Sequence, residues 1–251
     1  GSIVLPGMGN GTWDVIATYL GDDQYLTSTN KTSFEVFKRE STVTVEVDNI
    51  TVGDVAAVNI TVTTGASGNV TITIGDEYNK TVGVVDGTFS VIVPGLTVGD
   101  KTVNVTYNGN DKYLPSSDSA NFTVGRTSAA INLVVENITY GQNETIIAFV
   151  NATGNVTIKL DGTPIATVNI TDGKVVYDIS RLDAGNYTVE LVYNGNADTN
   201  STSAAANFTV EKADPIITID VEDIVYGDVE YIVVHVNAEG NVTITVDGRV
   251  K

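Results

Sequence analysis

The chain has 251 residues, no cysteine and a formal net charge of −18, with 13 Lys and Arg against 31 Asp and Glu. Nucleic acids and anionic membranes attract proteins through Lys and Arg, so this charge argues against both as partners. Without cysteine no disulfide can link the strands, and no apolar run is long enough to cross a membrane. We therefore expect no nucleic-acid partner and no membrane insertion of this fragment.

A repeated segment divides the chain. Gly-Asn-Val-Thr-Ile occurs at 68–72, 154–158 and 240–244, at intervals of 86 residues. Tyr-Asn-Gly-Asn begins at Tyr107 and Tyr193 and matches Tyr-Leu-Gly-Asp at Tyr19. A period of this length is large enough for one hydrophobic core per copy, so the copies are expected to fold as independent domains in a row.

Alternation of apolar and polar residues runs through every copy, and each run is followed by a Gly-, Asn-, Asp- or Pro-containing turn signal. This pattern predicts antiparallel strands with one face in a core. In the first complete copy the predicted strands are 42–49, 55–63, 69–74, 80–85, 88–93, 101–107 and 118–124. In the second copy they are 129–137, 144–151, 155–160, 165–170, 173–179, 187–193 and 203–210. The predicted fold class is all-β, with tandem immunoglobulin-like β-sandwiches in a rod-like array.

The repeat predicts four segments. Residues 1–38 are the C-terminal part of one repeat, 39–125 and 126–211 are full repeats, and 212–251 are the N-terminal part of another. The linkers between them are short and lack Gly/Ser tracts, which predicts a semi-rigid connection.

The segment Tyr-Asn-Gly-Asn-Asp-Lys-Tyr-Leu-Pro-Ser-Ser (107–117), closed by Asn-Phe-Thr-Val from Asn121, resembles the end of bacterial Ig-like repeats. Such repeats are strung together in adhesin-like surface proteins of methanogenic archaea. The resemblance covers nearly the whole chain and implies an extracellular, cell-surface protein that projects a binding tip or itself attaches to other cells. The second copy departs from the pattern, because Thr199 stands where the others have Tyr25 and Tyr113.

Several aromatic residues have core parity in their strands. The segment Asp183–Val189 resembles the tyrosine corner of immunoglobulin domains, in which the tyrosine hydroxyl bonds to nearby backbone. Trp13 and Lys101 occupy the position of Tyr187 in their copies. Trp13 is expected in the core, the alternative being a sugar-stacking platform. Lys101 either extends to solvent or bonds covalently to an Asn, as in some Gram-positive pilins. The predicted structural core includes Trp13, Tyr19, Tyr107, Tyr187 and Tyr193.

No catalytic constellation recurs between the copies. The only histidine, His235, lies in an alternating strand where the other copies have Thr61 and Phe149. With one histidine and no cysteine, neither a Ser/His/Asp triad nor a His-based metal site can be built in each repeat. We therefore predict no enzymatic activity and no resident cofactor.

Asparagine carries the strongest chemical signal. The chain has 23 Asn, of which 17 begin an Asn-x-Ser/Thr sequon, where about four would be expected by chance. Strand alternation alone also produces Asn-apolar-Thr, yet Asn is a poor strand former and Thr would serve better. The excess favours N-glycosylation in the native host. The candidate sites are Asn10, Asn30, Asn49, Asn59, Asn69, Asn79, Asn104, Asn121, Asn137, Asn143, Asn151, Asn155, Asn169, Asn186, Asn200, Asn207 and Asn241.

Acidic turns suggest a cation site at domain junctions. Asp54 and Asp100 lie in turns at one predicted pole of the first copy, where the next copy would present Asn196 and Asp198. Clustered carboxylates there could bind Ca²⁺ and stiffen the junction, the alternative being solvated turn residues.

The two terminal segments complement each other. Residues 1–38 align with 89–126, and 213–251 align with 127–165, so together they cover one repeat except the part equivalent to 78–88. Each alone would expose a core face and strand edges. The expected partner is therefore another copy of the chain, joined head-to-tail by strand complementation.

These observations indicate a non-catalytic extracellular adhesin or stalk at the cell surface. Its other expected partner is a host or partner cell surface or a polysaccharide. Two alternatives remain: an array of carbohydrate-binding modules, which would group exposed aromatic residues on one face, and an accessory region of a secreted polysaccharide-degrading enzyme.

Overall fold

Antiparallel hairpins organise the chain from its first strand. The structure is a computed structural model that describes residues 1–84 and 87–250. The described residues contain strands, turns and bends and no helix, which confirms the prediction of an all-β chain of tandem immunoglobulin-like β-sandwiches. The chain divides into two compact units, Gly1–Ser128 with Asn196–Asn200, and Ala129–Gly195 with Ser201–Lys251.

The first hairpin stands outside any sandwich. It consists of β1 (Gly11–Tyr19) and β2 (Ser28–Val36), which pair with each other in a two-stranded sheet. Their register runs from Gly11 opposite Val36 to Tyr19 opposite Ser28.

The first sandwich has a three-stranded and a five-stranded sheet. Its strands are β3 (Val43–Glu46), β4 (Ile50–Thr51), β5 (Ala56–Val62), β6 (Gly68–Ile74), β7 (Tyr78–Val84), β8 (Thr88–Val93), β9 (Gly99–Tyr107) and β10 (Ser116–Gly125). The order is β3-β5-β8 in one sheet and β4-β10-β9-β6-β7 in the other, and β4 and β10 pair in parallel. Alternate side chains such as Val58, Ile72 and Val105 are fully buried and form the core.

The second sandwich repeats this arrangement. The strands in this part of the chain are β11 (Thr127–Ser128), β12 (Ile131–Val134), β13 (Ile138–Thr139), β14 (Glu144–Val150), β15 (Asn155–Leu160), β16 (Thr163–Asn169), β17 (Lys174–Ile179), β18 (Gly185–Tyr193), β19 (Thr199–Asn200) and β20 (Thr202–Glu211). The sheets are β12-β14-β17 and β13-β20-β18-β15-β16, and β11 and β19 form a separate parallel pair that belongs to the first compact unit.

The last segment forms only short pairs. They are β21 (Ile217–Asp220) with β22 (Val233–Val236), and β23 (Thr245–Val246) with β24 (Arg249–Val250).

The first strand of each sandwich switches sheets, which the alternation did not predict. The predicted strand 42–49 ends at Glu46, and the chain continues as β4 in the opposite sheet. Asn49 stabilises this crossing, because its Oδ1 accepts a hydrogen bond of 2.7 Å from the Thr123 backbone amide in β10. Asn137 accepts the equivalent bond from Thr209, at 2.8 Å. The end of the predicted strand at Val85 lies outside the described residues.

Of the five expected core aromatics, Tyr107 and Tyr193 are buried, Tyr187 is half-buried against its core, and two are exposed. Trp13 is 41% and Tyr19 46% exposed, whereas Tyr107, at the position equivalent to Tyr19, is completely buried. All follow the same strand parity. The difference arises because, within residues 1–84 and 87–250, no second sheet packs over the apolar face of β1 and β2, while β9 and β10 are covered by β3, β5 and β8. The expectation that Trp13 and Tyr19 belong to a core is wrong for the described structure.

Candidate functional site

The outward face of each five-stranded sheet is lined with sequon asparagines. In the first sandwich Asn69, Asn79, Asn104 and Asn121 lie on β6, β7, β9 and β10, and all four are exposed. In β6, β9 and β10 they alternate with the buried Val70, Ile72, Val103 and Phe122, and so point away from the core. Asn79 of β7 lies opposite Thr73, which has the same strand parity as Asn69.

The second sandwich also carries four sequons on this face, but only some of them lie at equivalent positions. Asn155, Asn169, Asn186 and Asn207 lie on β15, β16, β18 and β20. Asn155 and Asn207 match positions of the first sandwich, whereas Asp100 and Gly83 stand where the second has Asn186 and Asn169. If the backbone required asparagine, the asparagines would occupy equivalent positions in both sandwiches. The two sandwiches share instead the sheet face on which the sequons lie, which is consistent with glycans on that surface.

The sequon side chains differ in their hydrogen bonds. All 17 are exposed except Asn155, which is half-buried. The amide oxygen accepts a hydrogen bond in Asn30, Asn49, Asn59, Asn121, Asn137, Asn151, Asn155 and Asn186. Within residues 1–84 and 87–250, no side-chain hydrogen bond is formed by Asn10, Asn69, Asn79, Asn104, Asn143, Asn169, Asn200, Asn207 or Asn241. In the second group no side-chain hydrogen bond within the described residues accounts for the choice of asparagine.

The opposite, three-stranded sheet of the second sandwich presents an apolar surface, which sequence reasoning missed. We call Val134, Ile147, Phe149 and Val176 the apolar patch. Val134 is 42%, Phe149 50% and Val176 48% exposed. Ile147 lies opposite both Val134 and Val176 in the sheet. The Lys174 ammonium lies 5.9 Å from the centre of the Phe149 ring. The signal was present as apolar residues on both parities of β14.

A carboxyl group is buried in the second sandwich. Glu144 is 1% exposed, at the start of β14 and on the same strand parity as the core residues Ile146 and Ala148. Its Oε1 accepts a hydrogen bond of 3.0 Å from the Glu136 amide. Burial raises the pKa of Glu144 above its ordinary value. An acidic residue at core parity was the overlooked sequence signal.

Lys101 and Tyr187 occupy equivalent positions with different chemistry. The Lys101 ammonium forms an ion pair with Glu77 and donates to Thr97 Oγ1 at 2.9 Å. The Lys101 ammonium, together with the Thr97 amide, lowers the pKa of Glu77. In the described structure Lys101 is thus paired with the carboxylate of Glu77, rather than with an Asn. The Tyr187 hydroxyl donates to the Asp183 carbonyl at 3.0 Å, and its ring stacks on Phe208.

The acidic turns do not converge. Among residues 1–84 and 87–250, no three His, Cys, Asp or Glu side chains form a group that could hold a metal ion. Asp54 accepts a hydrogen bond from the Thr51 amide within its turn, and Asp100 accepts one from the Thr123 hydroxyl across β9 and β10. The proposed grouping with Asn196 and Asp198 is therefore not found. His235 is exposed and lies 3.4 Å from Asp220 across β21 and β22.

An open groove of about 470 Å³ lies between β7 and β8 of the first sandwich, lined by residues that include Lys80, Phe89 and Ile92. Among the described residues that line this groove, Lys80 is the one titratable side chain, and these residues offer no pair of groups for acid–base chemistry. In the part of the chain that the structure describes, no membrane-spanning helix is found.

Comparison with known proteins identifies one of the two sandwiches. Residues 131–211 match the family model of a bacterial Ig-like domain (group 3). The chain is a tandem array of immunoglobulin-like domains, and residues 131–211 are similar to this bacterial type. No curated protein matches the chain.

Solved structures with some similarity contain fibronectin-type or immunoglobulin domains in series. The fibronectin(III)-like modules of Clostridium thermocellum CbhA are 16% identical, with a TM-score of 0.31 over 68% of this chain and 95% of theirs. A tandem from titin is 16% identical, with a TM-score of 0.29 over 73% of this chain and 71% of the titin chain. The immunoglobulin domains 1–5 of Sidekick-1 are 15% identical, with a TM-score of 0.29 over 81% and 46%. These scores are too low to carry a functional inference.

Proposed function

We propose that the chain is a non-catalytic, extracellular stalk and adhesin segment at the surface of its cell. The observation that carries this proposal is the repeated sandwich with sequons concentrated on one sheet face. The resemblance to adhesin-like surface proteins of methanogenic archaea supports the same role. Folded domains in series set a distance from the cell, and their surfaces are available for contact.

The two sheets of a domain have different roles in this proposal, one as a glycosylated surface and the other as a contact surface. In the proposed protein the five-stranded sheets carry N-linked glycans at Asn69, Asn79, Asn104, Asn169 and Asn207, whose side chains form no hydrogen bonds within the described residues. Glycans there solubilise and shield the surface. The apolar patch of the second sandwich carries no sequon on its strands and remains open as a contact surface.

Surface proteolysis of intact source cells tests the location. We expect protease treatment to release peptides of this chain while a cytoplasmic marker stays intact. Mass spectrometry of the released peptides should find glycans at the unbonded sequons of the five-stranded sheets. Detection of the chain only after lysis would refute the surface role. Unmodified sequons in surface-derived peptides would refute the division between the two faces.

Binding to cells tests the contact surface. Fluorescent full chain should bind the target cells, and the double variant Phe149→Thr with Val176→Ser should bind them more weakly. These replacements copy Thr61 and Ser90, the equivalent residues of the first sandwich, so the fold should tolerate them. The matched control is Thr145→Ser, outside the apolar patch on the same strand. Equal binding of the patch variant and the control would exclude the patch as the contact.

A carbohydrate-binding role is the second candidate, and the first hairpin favours it. Trp13, Tyr19 and Phe34 are all partly exposed on one face of β1 and β2, and aromatic faces stack on sugars. A glycan-array screen of wild type and Trp13→Ala separates the candidates. Selective binding that is lost with Trp13→Ala would support this role, including that of an accessory region of a secreted polysaccharide-degrading enzyme.

A further inference from the structure

Two opposite charges flank the apolar patch at equal distances along β17. Lys174, Val176 and Asp178 alternate with buried or partly buried residues of this strand, and all three are exposed on its outward face. Lys174 and Asp178 are each two residues from Val176, which places each about 7 Å from it along the strand. The two charges are therefore arranged symmetrically about Val176.

The centre of the apolar patch is a row of three side chains across the sheet. Val134 lies opposite Ile147, and Ile147 lies opposite Val176. The next outward position of β17 on one side of this row is Lys174, and the next on the other side is Asp178. A half-turn about the row therefore exchanges the positions of the two charges and leaves the apolar row in place.

Neither charge is neutralised by an ion pair in the part of the chain that the structure describes. The Lys174 ammonium lies over the ring of Phe149. The Asp178 Oδ1 accepts a hydrogen bond of 2.7 Å from the Thr145 hydroxyl, which holds the carboxylate on the outward face. Both charged groups are thus oriented beside the patch and are exposed to a binding partner.

The two charges occur together with the apolar patch. In the first sandwich, where polar side chains replace the patch, Thr88 and Ile92 occupy the positions of Lys174 and Asp178. The domain without the apolar surface therefore also lacks both charges. The three-stranded sheet does not need them in order to fold, so they are a feature of this particular surface.

We propose that the apolar patch binds the apolar patch of a second copy of this chain in a symmetric contact. The two-fold axis runs along the row of Val134, Ile147 and Val176, so that each side chain of the row packs against its own counterpart. Lys174 of each copy then faces Asp178 of the other, which gives an ion pair on each side of the row. Such self-complementarity is what a two-fold contact requires.

This inference rests on the contact role proposed for the apolar patch and names the partner. In the proposed surface role, the two copies belong to adjoining cells. A contact centred on four apolar side chains is smaller than the roughly 800 Å² per partner of a stable interface, so a single contact is weak. Many copies on each surface raise the overall strength, and the charge pairs select the matching orientation.

Aggregation of beads coated with the full chain tests the contact. Wild-type beads should aggregate at physiological ionic strength, where the net charge of −18 is screened. Lys174→Asp and Asp178→Lys each bring like charges together, and each should reduce aggregation about tenfold or more. Lys212→Asp, a charge change of the same size at an exposed position outside the patch, should behave like the wild type.

Mixing the two charge variants provides the decisive measurement. Beads that carry Lys174→Asp should aggregate with beads that carry Asp178→Lys, because both ion pairs re-form between the two variants. A chain that carries both substitutions should aggregate by itself for the same reason. Wild-type beads that stay dispersed overturn the proposal, as do single variants that aggregate like the wild type or a mixture that stays dispersed.

The outcomes separate this proposal from the proposed function. If the full chain binds target cells through the apolar patch while wild-type beads stay dispersed, the contact role holds and the partner is wrong. If the beads aggregate and the charge exchange restores aggregation, but the chain is absent from the surface of its cells, the self-contact holds and the surface role is wrong.

Disulfide formation tests the position of the two-fold axis. The chain has no cysteine, so Val176→Cys introduces a single thiol, which faces its counterpart across the proposed axis. Mild oxidation should link this variant into pairs with twice the 26.4 kDa of one chain. Ser90→Cys, at the equivalent exposed position of the first sandwich, is the matched control and should link far more slowly. Equal rates of linking would refute the proposed axis.

Discussion

The two complete domains share strand register yet differ in chemistry at equivalent positions. On the outward face of the three-stranded sheet, the first domain has Glu46, Asn59, Thr61 and Ser90, where the second has the apolar patch. Inside, Ala56 of the first corresponds to the buried Glu144 of the second. The backbone pattern needs only an apolar core and turns, so surface and edge positions are free to diverge in function.

The first prediction is that the two domains have separate cores and therefore unfold independently. Leu191 and Val105 are equivalent and fully buried, each in its own core cluster. Leu191→Ala should lower the free energy of unfolding of the second domain by about 2–5 kcal/mol, because it leaves a cavity. Calorimetry of the full chain should show one transition shifted down and the other unchanged.

Val105→Ala is the reciprocal control and should shift only the other transition. A shift of both transitions by either variant would mean that the domains unfold together.

The sheet crossing should matter equally in both domains. Asn49→Ala and Asn137→Ala each remove the acceptor for a backbone amide of the last long strand. Each should destabilise its own domain by about 1–2 kcal/mol. Urea unfolding of the full chain measures the effect, with Asn69→Ala as the control, since the Asn69 side chain forms no hydrogen bond within the described residues. An equal loss in the control would assign the effect to asparagine in general.

The buried carboxyl group of Glu144 should lower the free energy of unfolding of the second domain at neutral pH. Glu144→Gln removes the charge and keeps an acceptor for the Glu136 amide. We expect a stabilisation on the order of 1 kcal/mol, measured by urea unfolding at pH 7. Glu136→Gln is the matched control, because it removes a charge from an exposed position. Destabilisation by Glu144→Gln would show that the carboxylate is needed.

Acid should affect the two domains in opposite directions through these groups. The pKa of Glu144 is raised in the folded state, so its contribution to stability is present below its ordinary pKa and lost as the pH rises through the folded value. The pKa of Glu77 is lowered by Lys101, so its contribution is present above its ordinary pKa and lost as the pH falls. Calorimetry between about pH 7 and 3, around the ordinary glutamate pKa, should show Glu144→Gln and Glu77→Gln removing opposite slopes. Slopes of the same sign would refute the assignment.

The apolar patch should have the smallest effect on stability. Phe149→Thr should change the free energy of unfolding by about 0.5 kcal/mol or less, as is usual for an exposed position. It should reduce binding of an apolar fluorescent dye, and Thr61→Phe in the first domain should increase it. Unchanged fluorescence in both would show that the patch is not accessible as an apolar surface.

Strand parity allowed much of the fold to be predicted. Val58, Ile72 and Val105 alternate with polar residues, and the repeat aligns Tyr107 with Tyr193. The candidate sequons are a local motif and were readable directly. Their concentration on one sheet was not, because parity identifies the two faces of a strand but not the sheet to which that strand belongs.

The sequence by itself determined the period, the strands and the class of sandwich, because these depend on local alternation and turn chemistry. Tertiary structure decided what covers each face. Tyr19 and Tyr107 have the same local sequence pattern, yet one is half exposed and the other completely buried. Glu144 likewise became a buried acid only when a second sheet packed over β14. Burial depends on strands that are distant in sequence. The pattern of one strand shows which of its faces is apolar, but not whether another sheet covers that face.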